Sequence, residues 1–219
     1  GMGLSGGLQF NGSPVGGVPG VTYTNNANFI VGNGSYLGYC NILIGCNSGF
    51  AVNSSAMMNI AMGPDALYNG TTSQYNIAIG GYGMYNTTCG IKNVVIGHYA
   101  LVGNVTGNCN IAIGASALNS MCNGNNNVAI GYGALKSSGT STGSCNVGVG
   151  TNSLYCVTNG SCNVGLGYSA LHNVTTGINN TAVGTSASYF LSTGFGNSSL
   201  GYLAGYCSSN GCYNVNIGY

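Results

Sequence analysis

Acid–base, nucleophilic and metal chemistry each need a small set of side chains, and this chain of 219 residues is nearly without them. Asp65 is its single carboxylate side chain, Lys92 and Lys136 its only fixed cations, and His98 and His172 its only imidazoles. One carboxylate cannot serve as both acid and base of a paired-carboxylate mechanism. A Cys–His nucleophile would need an orienting third group and an oxyanion site, and no spacing here supplies them. The expectation is a protein that is not an enzyme and takes no cofactor. There is also no basic face for phosphates, which excludes nucleic acid as a partner held by counterion release.

Ten cysteines remain. Two pairs lie in matching phrases, Cys156 and Cys162 in YCVTNGSC and Cys207 and Cys212 in YCSSNGC. Each pair is a candidate disulfide if its Cα atoms approach within about 7 Å, and disulfides would mean an oxidising, extracellular setting. The alternative is a set of small apolar residues. Zinc is the weaker reading, because no CxxC pair exists and the histidines sit apart from any cysteine group. Glycosylation is the other modification to expect. Ten Asn-x-Ser/Thr sequons occur, and Asn69, Asn86, Asn104 and Asn173 are the candidate acceptors, placed where outer turns would leave room for a glycan.

A repeat must position these residues. The phrase Asn-(Ile/Val)-x-(Ile/Val)-Gly or a close variant starts at Asn28, Asn41, Asn59, Asn76, Asn93, Asn110, Asn127, Asn146, Asn163, Asn180, Asn197 and Asn214. Most of these starts are 17 residues apart. Self-similarity at a fixed short period means one supersecondary unit stacked on copies of itself. The fold class predicted is all-β, a β-solenoid of about twelve coils.

With the repeat Asn as position 0, Ile or Val recurs at positions 1 and 3, as in Ile77 and Ile79 or Ile111 and Ile113, with a small residue between. Alternation over a short β-branched run is a strand with one apolar face. Position 4 is Gly in every copy, an Ala-Leu pair recurs at positions 7 and 8, and Tyr collects at positions 5 and 9. Polar residues ending in Gly at position 14 complete the unit as turn chemistry. The expected core is positions 1, 3 and 8. The Asn row, best represented from Asn59 to Asn214, should stack as a structural ladder of amides. His98 and His172 stand at positions otherwise held by Tyr and are expected as its surface substitutes.

One coil advances about 4.8 Å, so twelve coils would make a rod about 55 Å long. Residues 28–219 form the predicted solenoid, and the Gly/Pro-rich segment 1–27 is expected as a cap over its first edge or a connector. So narrow a coil leaves apolar stripes outside, and such stripes on a rod predict packing of rods side by side. A parallel homotrimer buries them symmetrically, while an open filament is the alternative. A net charge of +1 offers little repulsion against either. Gly and Asn interrupt every apolar run before 18 residues, so no membrane insertion is expected. Ice binding would need a regular Thr array, and Thr scatters over positions 11 to 13. Uncharged Tyr, Asn and Thr surfaces suit a carbohydrate or a surface receptor as partner.

The phrases NNVAIGYGAL (126–135), NIAIGASAL (110–118) and NVGLGYSAL (163–171) carry a family likeness. They resemble the Asn-Thr-Ala-Ile-Gly-Tyr-x-Ala-Leu repeats of phage and viral tail fibres, and the related head repeats of trimeric autotransporter adhesins. The resemblance covers about residues 28–219. It implies a trimeric, left-handed β-roll holding a receptor-binding element away from a particle or cell. The implied location is extracellular, on a virion or cell surface. The cysteines depart from the repeats it resembles.

Overall fold

The computed structural model describes residues 21–23, 28–32, 38–137, 139 and 141–218. Among them, β1 (Val21–Tyr23) is followed by β2 (Phe29–Gly32), β3 (Ile42–Gly45), β4 (Ile60–Met62) and β5 (Ile77–Ile79). Next come β6 (Val94–Ile96), β7 (Ile111–Ile113), β8 (Val128–Ile130) and β9 (Val147–Val149). β10 (Val164–Leu166), β11 (Thr181–Val183), β12 (Ser198–Leu200) and β13 (Val215–Ile217) complete the order. From β2 onward each strand pairs in parallel with the next, in register at equal repeat positions, as Ile77 with Val94 and Val94 with Ile111. The chain is a parallel β-solenoid of about 11 turns built on the 17-residue unit. Of the predicted cap, β1 is described: it runs antiparallel to β2 and covers its edge.

The inner face of each strand is the reverse of the one expected. Position 2 is buried: Leu43, Ala61, Ala78, Val95, Ala112, Ala129 and Ala182 have no exposed surface. The Ile and Val residues at positions 1 and 3 are half-exposed or exposed on the outside. Period 2 separates two faces without saying which one is inside. Two facts decide it. Asn at position 0 shares the face of position 2, and its amide finds partners only within the stack. The interior is also narrow. Leu43 fits at position 2 where position 8 of its coil is Gly49, and a Cβ added there would stand 2.8 Å from the Leu43 methyls.

Position 8 is an inward column as expected, with Leu67, Met84, Leu101, Leu118, Leu135, Leu154 and Leu171 fully buried. Position 11, within the segment read as outer turn, is inward too: Met121, Val157, Val174 and Leu191 join the same core cluster. The core is therefore made of positions 2, 7, 8 and 11, lined on one side by the Asn column.

Tight corners need unusual backbone. In the coil starting at Asn110, Cys109 (φ 56°), Gly114 (φ 125°), Ser116 (φ 57°) and Leu118 (φ 52°) are all left-handed. For residues with a Cβ this conformation costs about 1–2 kcal/mol each. It persists because each such N–H reaches a neighbouring coil. Ser116 donates to His98 O at 3.0 Å on one side, and Leu118 to Ala134 O at 3.0 Å on the other. Position 4 is Gly for a steric reason as well: a Cβ at Gly80 (φ 129°) would lie 2.6 Å from Gly97 O.

Candidate interaction surface

Turning positions 1 and 3 outward makes a continuous aliphatic ribbon along the sheet. From β3 to β10 both outward positions are Ile, Val, Leu or Met in every strand. Ile96 is 41% exposed and Ile130 38%. Between β11 and β13 the ribbon is interrupted by Ser198. There Thr181, Val183, Leu200, Val215 and Ile217 border an apolar groove of about 280 Å³. Exposed apolar surface of this extent makes the ribbon a candidate interaction surface.

The aromatic residues form a second surface. At position 9, Phe50, Tyr68 and Tyr85 stack with centroids 5.0 and 4.9 Å apart. A longer column runs Tyr155, His172, Tyr189 and Tyr206, with Lys136 Nζ 5.6 Å above the Tyr155 ring. His172 lies within 6° of parallel to Tyr155, so it takes a tyrosine's place in the column. His98 instead meets Tyr99 edge-on at 4.3 Å. Within the columns ring faces cover one another, so edges and hydroxyls are what a partner would meet.

The Asn ladder expected at position 0 is present from Asn28 to Asn214. Asn59, Asn76, Asn93, Asn110, Asn127, Asn146, Asn163, Asn180, Asn197 and Asn214 each donate their backbone N–H to the Oδ1 of the Asn one coil before. The side-chain amide also reaches the carbonyl at position 14 of its own coil, as Asn76 Nδ2 does to Gly90 O at 2.7 Å. Hydroxyls add a parallel ladder in the outer turn, where Thr88 Oγ1 donates to Val105 O at 3.1 Å and Thr158 Oγ1 to Thr175 O at 3.1 Å.

Of the four candidate glycan acceptors, Asn86 is exposed and Asn69 and Asn173 are half-buried. Asn69 Nδ2 donates to Asn86 Oδ1 at 3.2 Å. Asn104 departs from expectation. It stands at position 11, is fully buried, donates from Nδ2 to Gly107 O at 3.1 Å and accepts from Gly107 N–H at 2.8 Å. Its amide nitrogen is engaged inside the turn and closed to a transferase.

The expected disulfides are absent, and all ten cysteines are free thiols. Cys156 and Cys162 are tied to opposite neighbours: Cys156 N–H donates to His172 O of the next coil, Cys162 N–H to Ser144 O of the previous one. Between them Val157 and Gly160 face the core, so the segment follows the coil wall and does not fold back on itself. Cys207 and Cys212 occupy the equivalent stretch of a later coil, with the Cys212 thiol directed to Asn210 O at 3.6 Å.

Few groups are electrostatically tuned. The neighbouring hydroxyls of Thr72 and then Thr88 hold the Cys89 thiol below its usual value, whereas burial pushes the Cys156 thiol up. The charge of Asp65 beside it raises the Tyr82 phenol. Among the described residues no group of three or more His, Cys, Asp or Glu is placed to hold a metal ion, and no helix is long and apolar enough to cross a membrane.

Compared with protein-family models, with curated proteins and with solved structures, the chain matches none. The likeness to tail-fibre and adhesin-head repeats therefore rests on the repeat residues alone.

Proposed function

We propose that the chain is a non-enzymatic fibre segment, structural and adhesive, standing outside the cell on a virion or cell surface. Three copies run parallel as left-handed solenoids and bury their outward Ile/Val ribbons against one another. The observation that carries this reading is the ribbon itself. A surface repeating every 4.8 Å or so along the axis stays in step only with a partner of the same repeat, and a second copy of this chain is such a partner. Eleven steps and a strand about 10 Å wide give on the order of 500 Å² per copy, or about 1,500 Å² buried over three copies, the total of a standard-size specific interface. Threefold closure divides each ribbon between two neighbours.

The polar turns and the edges of the aromatic columns remain outside such a trimer, available to a receptor or carbohydrate. A filament growing end to end is the less favoured reading. It needs a free parallel edge at both ends, and β1 lies antiparallel across that of β2.

The deciding measurement is the mass in solution by light scattering, at low and high salt. The expected value is near three times 21.9 kDa, unchanged by salt and by reductant. The variant carrying Ile79→Lys and Ile96→Lys should run as a monomer with unchanged circular dichroism. A monomeric native chain would overturn the proposal.

A further inference from the structure

Cys40, Cys109, Cys145 and Cys162 share the position before the repeat Asn, and all four are exposed free thiols. Only Cys145 and Cys162 sit on adjacent coils. The asparagines that follow them stack directly, Asn163 N–H donating to Asn146 Oδ1 at 3.0 Å. The strands beyond pair Val164 with Val147 in register. The two cysteines also have the same backbone, with φ of 60° and 59°.

Equal backbones in stacked coils are related by a translation along the axis. Their Cβ atoms are therefore separated by one coil step, about 4.8 Å. That is wider than the 3.5–4.5 Å or so that a disulfide prefers. Sγ atoms in one shared rotamer inherit the same step. With the zinc–thiolate length of about 2.3 Å as a guide, two metal–thiolate bonds laid end to end span about 4.6 Å. A shared rotamer thus brings the two sulfurs to the distance a linear two-coordinate ion requires.

We propose that Cys145 and Cys162 form a two-thiolate site for a soft univalent d10 cation of the copper(I) or silver(I) class, bound in line with the solenoid axis. Thiolates select such ions over harder ones. The groups on either side in the row are the amides of Asn126 and Asn179, which offer no competing charge. Binding involves no electron transfer. Two thiols and one cation M⁺ give the anion S–M–S⁻ and release two protons, so affinity rises with pH. Cys109 stands two coils from Cys145, about 9.6 Å by the same step, and belongs to no pair.

The test is an anaerobic titration of the reduced full chain with copper(I), against a chromophoric copper(I) chelator. The native chain should withdraw one equivalent and release two protons. Cys145→Ser and Cys162→Ser should each lose at least tenfold in affinity, while Cys109→Ser should not. Serine already adopts this backbone at Ser116 and Ser169, and circular dichroism checks that each variant folds. Asn126→Cys, which completes a row of four neighbours, should raise the uptake to two equivalents. No uptake by the native chain, or equal uptake by the Cys145→Ser and Cys162→Ser variants, overturns the site. Unchanged uptake in Asn126→Cys overturns the spacing argument on which it stands.

Discussion

Asn163 gives both its backbone N–H and its Nδ2 to the same oxygen, Oδ1 of Asn146, at 3.0 and 3.1 Å. Asn146 in turn sends Nδ2 across to Gly160 O at 2.9 Å. One side chain thus ties two coils together and braces its own turn, in a site with no exposed surface. Asn146→Ala leaves the Asn163 N–H and the Gly160 carbonyl without these partners. Each orphaned buried group costs about 1–3 kcal/mol, so the variant should lose roughly 2 kcal/mol or more in urea denaturation. Asn123→Ala, which removes an exposed acceptor from Thr106, should change stability by less than about 0.5 kcal/mol.

The orientation of the strands is tested by enlarging each face in turn. In the monomeric background carrying Ile79→Lys and Ile96→Lys, Ala112→Leu forces three extra carbons into the closed interior. It should cost about 1–3 kcal/mol. Ile111→Thr, on the outer face, should fall within about 0.5 kcal/mol of its parent. Equal losses in the two variants would mean that the faces are assigned wrongly.

Thr87 occupies the inward position 11 with its hydroxyl buried and without a hydrogen-bond partner. Other coils place Met121, Val157, Val174 or Leu191 there. Thr87→Val keeps the shape and removes the unsatisfied group, so thermal or urea denaturation should show a gain of about 1 kcal/mol.

Core composition changes toward the C-terminal coils. Position 8 passes from Leu171 to Ser188 and Gly205, and position 2 from Ala182 to Ser199 and Asn216. A Ser188–Ser199 hydroxyl pair at 2.7 Å replaces apolar packing. Stability in a solenoid is a sum of local terms between neighbours, so these coils should open first. The Ser198 amide, bonded to Asn214 O, should exchange at least tenfold faster than the Ile111 amide, bonded to Asn127 O. Uniform protection along the chain would contradict this.

Thiol reactivity should follow the tuning of each site. At neutral pH Cys89 should be alkylated by iodoacetamide ahead of the other exposed cysteines, and Cys156 last. Thr72→Val removes the larger cause at Cys89 and should shift its rate profile to higher pH. A depressed folded value also carries a stability term. It is full above the unfolded thiol value of about 8.5 and is lost as pH falls through the folded one.

The parallel solenoid was legible in the sequence because stacking copies of one unit repeats the same residues at the same places. The Asn row, the Gly at position 4 and the inward Leu at position 8 all show as columns once the repeats are aligned. Hydrophobicity alone turns the Ile and Val of the alternation inward at positions 1 and 3, the wrong face here, because a period of two separates two faces without fixing which is inside. Only the closed coil chose: its interior has room for Ala beside Leu and Asn, takes a larger residue such as Leu43 where position 8 shrinks to Gly49, and leaves the residues of positions 1 and 3 outside as a ribbon. The left-handed corners at Ser116 and Leu118 were likewise hidden, because no residue preference announces them and hydrogen bonds from both neighbouring coils impose them. Cysteine spacing suggested loops closed by disulfides. Backbone bonds to opposite coils hold those thiols apart, and place Cys145 above Cys162 instead. Periodicity thus determined the architecture, while the direction in which each side chain points was decided by the narrow cross-section that the stacked coils enclose.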